Sequence, residues 1–108
     1  MSATNTLPLP IIERVTGQVN RSETEILRFL QDLVRFKTPS QDPENQKFPE
    51  GIRGIHAHIG EFLERHSFSL DSWLAPPMSF DEHPILVGTL RGSGGGNSIA
   101  LNGHVDVT

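Results

Sequence analysis

Cysteine is absent from this sequence of 108 residues, and its absence rules out three kinds of chemistry. Without thiols, the chain has no disulfide framework, no thiolate zinc finger and no cysteine nucleophile. A metal ion bound by this chain would therefore be held by imidazole and carboxylate groups.

Long apolar runs are also missing. No run approaches the roughly 20 residues that a helix needs to span a bilayer. The first five residues carry no basic side chain, and two prolines interrupt the short apolar stretch at 7–12, so a secretory leader is not indicated. We therefore expect a cytoplasmic protein that makes no contact with a membrane.

Basic clusters are the third absence, and the formal net charge is −4. Nucleic-acid binding depends on Lys and Arg side chains that meet phosphates, so this composition argues against a nucleic-acid-binding protein. The 35% of hydrophobic and 20% of charged residues are typical of a folded globular chain. The length limits it to one small domain or part of one.

Apolar residues recur at helical spacing in three segments. The first follows Pro10, a residue suited to the first turn of a helix, and is weakened by Gly17. The second begins with the capping box Ser22-Glu23-Thr24-Glu25 and is expected to form a helix from Ser22 to Phe36. The apolar positions are Ile11, Ile12, Val15 and Val19; Ile26, Leu27, Leu30, Leu33 and Val34; and Ile52, Ile55, Ile59, Phe62 and Leu63.

The loop before the third helix starts at Thr38-Pro39-Ser40, where the proline ends helical geometry. The third helix contains Gly54 and Gly60, which each cost about 1 kcal/mol relative to alanine, so packing must stabilise it. After His66 the apolar period becomes two, which predicts a half-buried strand over 68–74.

Two nearly continuous apolar runs, 85–90 and 98–102, predict strands that are covered on both faces. The glycine-rich stretch 92–96 between them predicts a connecting loop. A phosphate-binding loop is the alternative, but this stretch precedes a strand and lacks the Lys-Ser/Thr ending of a Walker motif. Helices followed by strands predict a layered α/β domain whose sheet is only begun here.

The motif whose residue types suit metal binding or catalysis is Asn102-Gly103-His104-Val105-Asp106, directly after the last apolar run. Alternation along an extended chain places His104 and Asp106 on one face, with Cα atoms roughly 6–7 Å apart. An imidazole can bind zinc through one nitrogen while a carboxylate accepts a hydrogen bond from the other. A single His-x-Asp is a weak signal, so its context decides.

The other histidines are assigned no metal. His56 and His58 are two residues apart on the third helix and are expected to point to different sides, so they cannot share an ion. His66 and His83 lie near the ends of predicted elements, where a helix C-terminal or loop role is the ordinary explanation.

The order of elements, together with 98–107 and the strand and loop at 86–96, resembles the start of the acetylornithine deacetylase and succinyl-diaminopimelate desuccinylase family. These are zinc metallopeptidases related to aminoacylases and glutamate carboxypeptidases. The resemblance runs from about Glu23 to the end. It implies the start of a three-layer α/β/α zinc-peptidase-like catalytic domain, with N-terminal helices followed by strands of a mixed sheet that is incomplete here.

The resemblance implies domain bounds as well. Residues 1–21 would be a partly helical N-terminal extension, and 22–108 the N-terminal part of the catalytic domain, truncated and without its dimerisation domain. His104 would be a ligand of one metal ion, and Asp106 the catalytic-site carboxylate that orients this histidine. The family places the turn at Thr38-Pro39-Ser40 near its active site.

For the intact protein, the resemblance implies two zinc ions, or cobalt in their place, and a homodimer. The reaction would be hydrolysis of an amide bond in an N-acyl amino acid, a small peptide or a similar substrate. The other ligands and the general base would lie beyond Thr108, so we expect the fragment itself to be inactive. The alternative is a non-catalytic α/β module for partner binding or regulation that kept the fold without the metal site.

Overall fold

The computed structural model describes residues 8–39, 50–75 and 83–107. In this part of the chain, helices precede a two-stranded antiparallel sheet, so the mixed α/β class is confirmed. The elements are α1 (Leu9–Arg21), α2 (Glu23–Val34), α3 (Glu50–Arg65), β1 (Ser69–Ala75) and β2 (His83–Thr89). None of the described helices is long and apolar enough to cross a membrane.

The chain divides into two compact units, Met1–Arg35 and Phe36–Thr108. The family resemblance implies a different boundary, between an N-terminal extension that ends at residue 21 and the catalytic domain. That domain boundary stays a prediction.

The first unit holds α1 and α2, so both predicted helices are confirmed, but the capping box is wrong. Ser22 has φ −95° and ψ 6°, and its side chain makes no capping hydrogen bond. Its hydroxyl instead accepts a bond of 3.0 Å from Nε2 of Gln18. A capping residue typically has extended backbone dihedrals, whereas Ser22 lies in the bridge region, at about φ −90° and ψ 0°. Glu23 and Glu25 still favour this end of α2, because negative charge stabilises a helix N-terminus.

The second unit is built on α3, which is confirmed, and on the hairpin of β1 and β2. Ile52 and Ile55 of α3 are only 5% and 4% exposed and form its apolar centre. The hairpin pairs residues from Ser69↔Thr89 to Ala75↔His83. Successive side chains on a strand alternate between the two faces of a sheet, so only one face of this hairpin can pack on α3.

Gly88 permits the close approach of α3 to the sheet, because a Cβ atom added there would lie 2.9 Å from Cδ1 of Leu63. A Cβ atom added at Gly60 would lie 3.4 Å from Cδ1 of Leu70, which is ordinary van der Waals contact. Gly60 therefore lowers helix propensity without a close contact that requires glycine.

The turn from α3 into β1 is a Schellman motif. The N–H of Phe68 donates to the carbonyl of Leu63, and the N–H of Ser67 donates to that of Glu64, both at 3.0 Å. Ser67 has φ 68°, the left-handed conformation that this motif requires. Two orphan carbonyls of the helix are satisfied in this way, and the chain is directed into the sheet.

The strand predicted at 98–102 is wrong for this structure, because this stretch is extended coil. Ile99 and Leu101 are 85% and 95% exposed instead of covered. Strands are defined by hydrogen bonds to a neighbouring strand, and the described residues offer this stretch no such partner. β2 also departs from the prediction of a strand covered on both faces. It is covered on one face only, since Val87 is 38% exposed.

The loop predicted at 92–96 is confirmed, with Gly94 and Gly95 in left-handed conformations at φ 97° and 80°. Further on, a single parallel bridge pairs Val107 with Pro39. This bridge connects the end of the coil to the segment after α2.

We expect the 108-residue chain to self-associate through its exposed apolar residues. Burying one such side chain contributes about 1.5–3 kcal/mol, and both Ile99 and Leu101 are available for it. The double change Ile99→Thr and Leu101→Thr should therefore lower the sedimentation coefficient at high protein concentration toward the monomer value. A parent chain that is monomeric at all concentrations and unfolds cooperatively would contradict this expectation.

Gly51→Ala should destabilise the second unit, although alanine is the better helix former by about 1 kcal/mol. A Cβ atom at this position would overlap the carbonyl oxygen of Lys37. Overpacking of this kind costs about 1–3 kcal/mol, measurable by urea unfolding of the soluble double-threonine chain. Gly92→Ala is the matched control, because a Cβ there meets nothing within 4 Å. A stabilised Gly51→Ala variant would refute the close approach.

Candidate functional site

His104 and Asp106 lie side by side in the coil after Gly103, in contact as the sequence analysis expects. Nδ1 of His104 is 3.0 Å from Oδ1 of Asp106 and 3.1 Å from the carbonyl oxygen of the same residue. One ring nitrogen therefore meets two oxygen atoms of a single aspartate.

These two oxygens decide which nitrogen of His104 carries the proton. A carboxylate and a backbone carbonyl only accept hydrogen bonds, so both contacts require Nδ1 to be the donor. In the neutral ring the lone pair is then on Nε2, the nitrogen available to a ligand. The side chains of His104 and Asp106 are 83% and 45% exposed, so solutes can reach them.

Thr38 holds the backbone on both sides of Asp106. Its hydroxyl donates to the carbonyl of Val105 at 2.7 Å, and the N–H of Val107 donates to the carbonyl of Thr38, also at 2.7 Å. Thr38 itself is 3% exposed. The turn at Thr38-Pro39-Ser40 therefore does more than end a helix, although Ser40 lies outside the described residues.

The described residues supply only part of a metal centre. A catalytic zinc ion typically has three protein ligands and a water. No group of three or more His, Cys, Asp or Glu side chains that could hold a metal occurs in 8–39, 50–75 and 83–107. His104 fits such a site as one nitrogen donor, with Asp106 as the carboxylate that orients its ring.

A cleft of about 690 Å³ lies beside the pair. Residues 84–88 of β2 form one side and residues 101–106, which include His104 and Asp106, form another. Ile52, Ile59 and Leu63 of α3 contribute an apolar wall. Its volume is within the range of small-molecule sites, about 300–1,000 Å³.

His56 also lines this cleft, which the sequence analysis did not anticipate. Burial lowers the pKa of its imidazole below the ordinary 6.5, so the ring is neutral at pH 7. Helical spacing from Ile52 and Ile59 could have placed His56 on the same face of α3. The expectation that His56 and His58 point to different sides is confirmed, since the His58 ring lies 5.6 Å from that of Phe36 instead.

His66 interacts with its own helix. Nδ1 of His66 is 2.8 Å from the carbonyl oxygen of Phe62, one turn back in α3. The two rings are in contact, with centroids 4.3 Å apart. This is the helix C-terminal role that the sequence predicts for His66, whereas the side chain of His83 lies outside the described part.

Acid should destabilise the second unit through His56. Its folded-state pKa is below the unfolded value of 6.5, so the unfolded state binds more protons between these two values. The free energy of unfolding should therefore fall as pH drops through 6.5 and level off below the folded-state pKa.

His56→Gln should reduce this acid sensitivity in urea unfolding of the soluble double-threonine chain at pH 7.5 and 5.5. The comparison with the parent isolates His56 from His104 and Asp106, which line the same cleft. His66→Gln is the control on the same helix and should keep the sensitivity. Equal acid effects with and without His56 would show that this ring is not the source.

One comparison with known proteins bears on this geometry. Over 99 residues the chain is 30% identical to an N-formyl-4-amino-5-aminomethyl-2-methylpyrimidine deformylase of Halalkalibacterium halodurans. The alignment covers 92% of this chain and 21% of the deformylase, so the chain spans about a fifth of that relative's length. No protein-family model matches the chain. No solved structure matches it. At the level of sequence, the chain is thus similar to one part of an enzyme whose name describes removal of a formyl group from nitrogen.

Proposed function

We propose that this chain is part of a metal-dependent amidohydrolase of the acetylornithine deacetylase and succinyl-diaminopimelate desuccinylase family. The observation that carries the proposal is the contact between Nδ1 of His104 and Asp106, which leaves Nε2 free to bind a metal. The similarity to a deformylase supports the same class of reaction, cleavage of an acyl group from nitrogen.

In this proposal His104 binds the metal through Nε2, and Asp106 keeps the proton on Nδ1. The carboxylate thereby fixes the tautomer and the orientation of the ring and makes Nε2 a stronger donor. Zinc, when bound, supplies Lewis acidity toward an amide carbonyl and an attacking water. Two zinc ions, or cobalt in their place, fit the family and the donor chemistry of a cysteine-free chain.

The substrate class we propose is an N-acyl amino acid or a similar small amide. The similar protein is named for removal of a formyl group from nitrogen, which supports a small N-acyl substrate. Homodimer formation and a cytoplasmic location belong to the same proposal.

The fold we propose is the beginning of a three-layer α/β/α zinc-peptidase-like domain. β2 is paired with β1 along one edge, while its residues 84–88 line the cleft opposite the segment 101–106. β2 has no second strand beside it in the described part of the chain, and a further strand in this place would cover exposed Leu101. We place such a strand in the rest of a longer protein, consistent with a relative more than four times as long.

His104→Ala should remove tight binding of at least one metal ion from the protein at its natural length. Hydrolysis of N-formyl and N-acetyl amino acids should be lost with it, because the remaining ligands cannot replace an imidazole nitrogen. Asp106→Asn should lower metal affinity or activity by about 10–100-fold, the usual effect of removing a partner of a metal-bound histidine. Metal content by mass spectrometry and amide hydrolysis by liquid chromatography are the measurements.

His66→Ala is the matched control, since this exposed histidine contacts Phe62 and should leave metal content and activity unchanged. Unchanged metal stoichiometry and activity in His104→Ala would refute the proposal. A parent protein that binds no metal and hydrolyses no amide would instead favour the non-catalytic partner-binding module.

A further inference from the structure

Thr38 is a buried polar residue, and the buried hydrophobic side chains of the described part of its unit are Ile52 and Ile55. It is 3% exposed, beside Ile52 and Ile55 at 5% and 4%. A hydroxyl group is costly to bury unless it is hydrogen-bonded. The hydroxyl of Thr38 donates a hydrogen bond to the carbonyl of Val105, a residue 67 positions further along the chain. Ending α2 does not require this hydroxyl, because Pro39 alone disfavours helix at the preceding residue.

The two hydrogen bonds of Thr38 are made to the residues on either side of Asp106. The carbonyl of Val105 belongs to the peptide unit before Asp106, and the N–H of Val107 belongs to the one after it. When both peptide planes are fixed, φ and ψ of Asp106 are fixed too, because these are the only soft dihedrals between them.

Fixed dihedrals at Asp106 determine where its carbonyl oxygen and its Cβ atom lie, and the Cβ atom sets the region that Oδ1 can reach. Oδ1 and the carbonyl oxygen of Asp106 are 3.0 and 3.1 Å from Nδ1 of His104. A rotation of either peptide plane would move at least one of these oxygens away from the ring. Apart from the single bridge between Val107 and Pro39, the coil around them pairs with no strand in the described part of the chain.

The segment that carries Thr38 also contacts α3. The backbone of Lys37 approaches Gly51 of α3 so closely that a Cβ atom there would overlap its carbonyl oxygen. Thr38 is therefore fixed between the start of α3 and the segment that bears His104 and Asp106.

We propose that Thr38 is a positioning residue for the pair of His104 and Asp106. Its hydroxyl and carbonyl hold the backbone around Asp106, and this keeps Nδ1 of His104 protonated and Nε2 directed to a ligand. The consequence for metal binding rests on the proposed function, whereas the effect on the tautomer of His104 does not.

Thr38→Val and Thr38→Ser test the proposal, because valine keeps the shape without the hydroxyl and serine keeps the hydroxyl. The first readout is the tautomer of His104 in the natural-length protein, stripped of metal and labelled with ¹⁵N at histidine. The ring signals are assigned by their loss in His104→Ala. We expect the Nδ1–H form in the parent and in Thr38→Ser, and a mixture of both tautomers in Thr38→Val.

The second readout is the affinity for zinc, measured by competition with a chelator. Thr38→Val should bind zinc about 10–100-fold more weakly, as is usual when the support of a metal-bound histidine is lost. Thr38→Ser should remain within a few-fold of the parent. Thr89→Val, at an exposed threonine of β2, is the matched control and should change neither readout.

The outcomes separate this inference from simple destabilisation and from the proposed function. Lower thermal stability of Thr38→Val with an unchanged His104 tautomer would overturn the inference, and so would a Thr38→Ser variant that behaves like Thr38→Val. A parent protein that binds no zinc would refute the proposed function, while the tautomer readout would still decide the role of Thr38.

Discussion

The hydrogen bonds between Thr38 and the segment from Val105 to Val107 are the constraint on which the candidate site depends. α3 and the hairpin pack on each other where Gly60 faces Leu70 and Gly88 faces Leu63. The segment after the glycine loop has no such support, and it is mostly exposed. Its course past the cleft is set by the contacts at Thr38, and the geometry of His104 and Asp106 follows from that course.

The parts of the fold that depend on local sequence were predictable. Helical periodicity correctly indicated all three described helices, and the change to a period of two correctly indicated β1. The contact between His104 and Asp106 was predictable for the same reason, because alternation along an extended chain is local. The capping box failed within this local range, since Ser22 joins α1 directly to α2 and its backbone is not extended as a cap typically is.

The parts that depend on distant partners were not predictable from pattern alone. The run at 98–102 has the composition of a buried strand, but composition cannot supply the neighbouring backbone that makes a strand. From sequence, Thr38 and Pro39 indicated only the end of a helix. The hydrogen-bond acceptor of Thr38 is Val105, which is 67 residues away and therefore outside any local pattern. His56 was within reach, because its spacing from Ile52 and Ile59 places it on one face of α3, yet only the structure shows that this face borders the cleft.

The long sequence separation of the contact at Thr38 also affects the order in which the structure can form. α3, the Schellman turn and the hairpin are consecutive in the chain, so their contacts close short loops. The bond from Thr38 to Val105 closes a loop of 67 residues, and loop-closure entropy rises by about 0.6 kcal/mol for each doubling of length. Contacts of high sequence separation slow folding. The helix and hairpin can thus assemble first as a local nucleus, and the segment with His104 and Asp106 docks onto a surface that already exists.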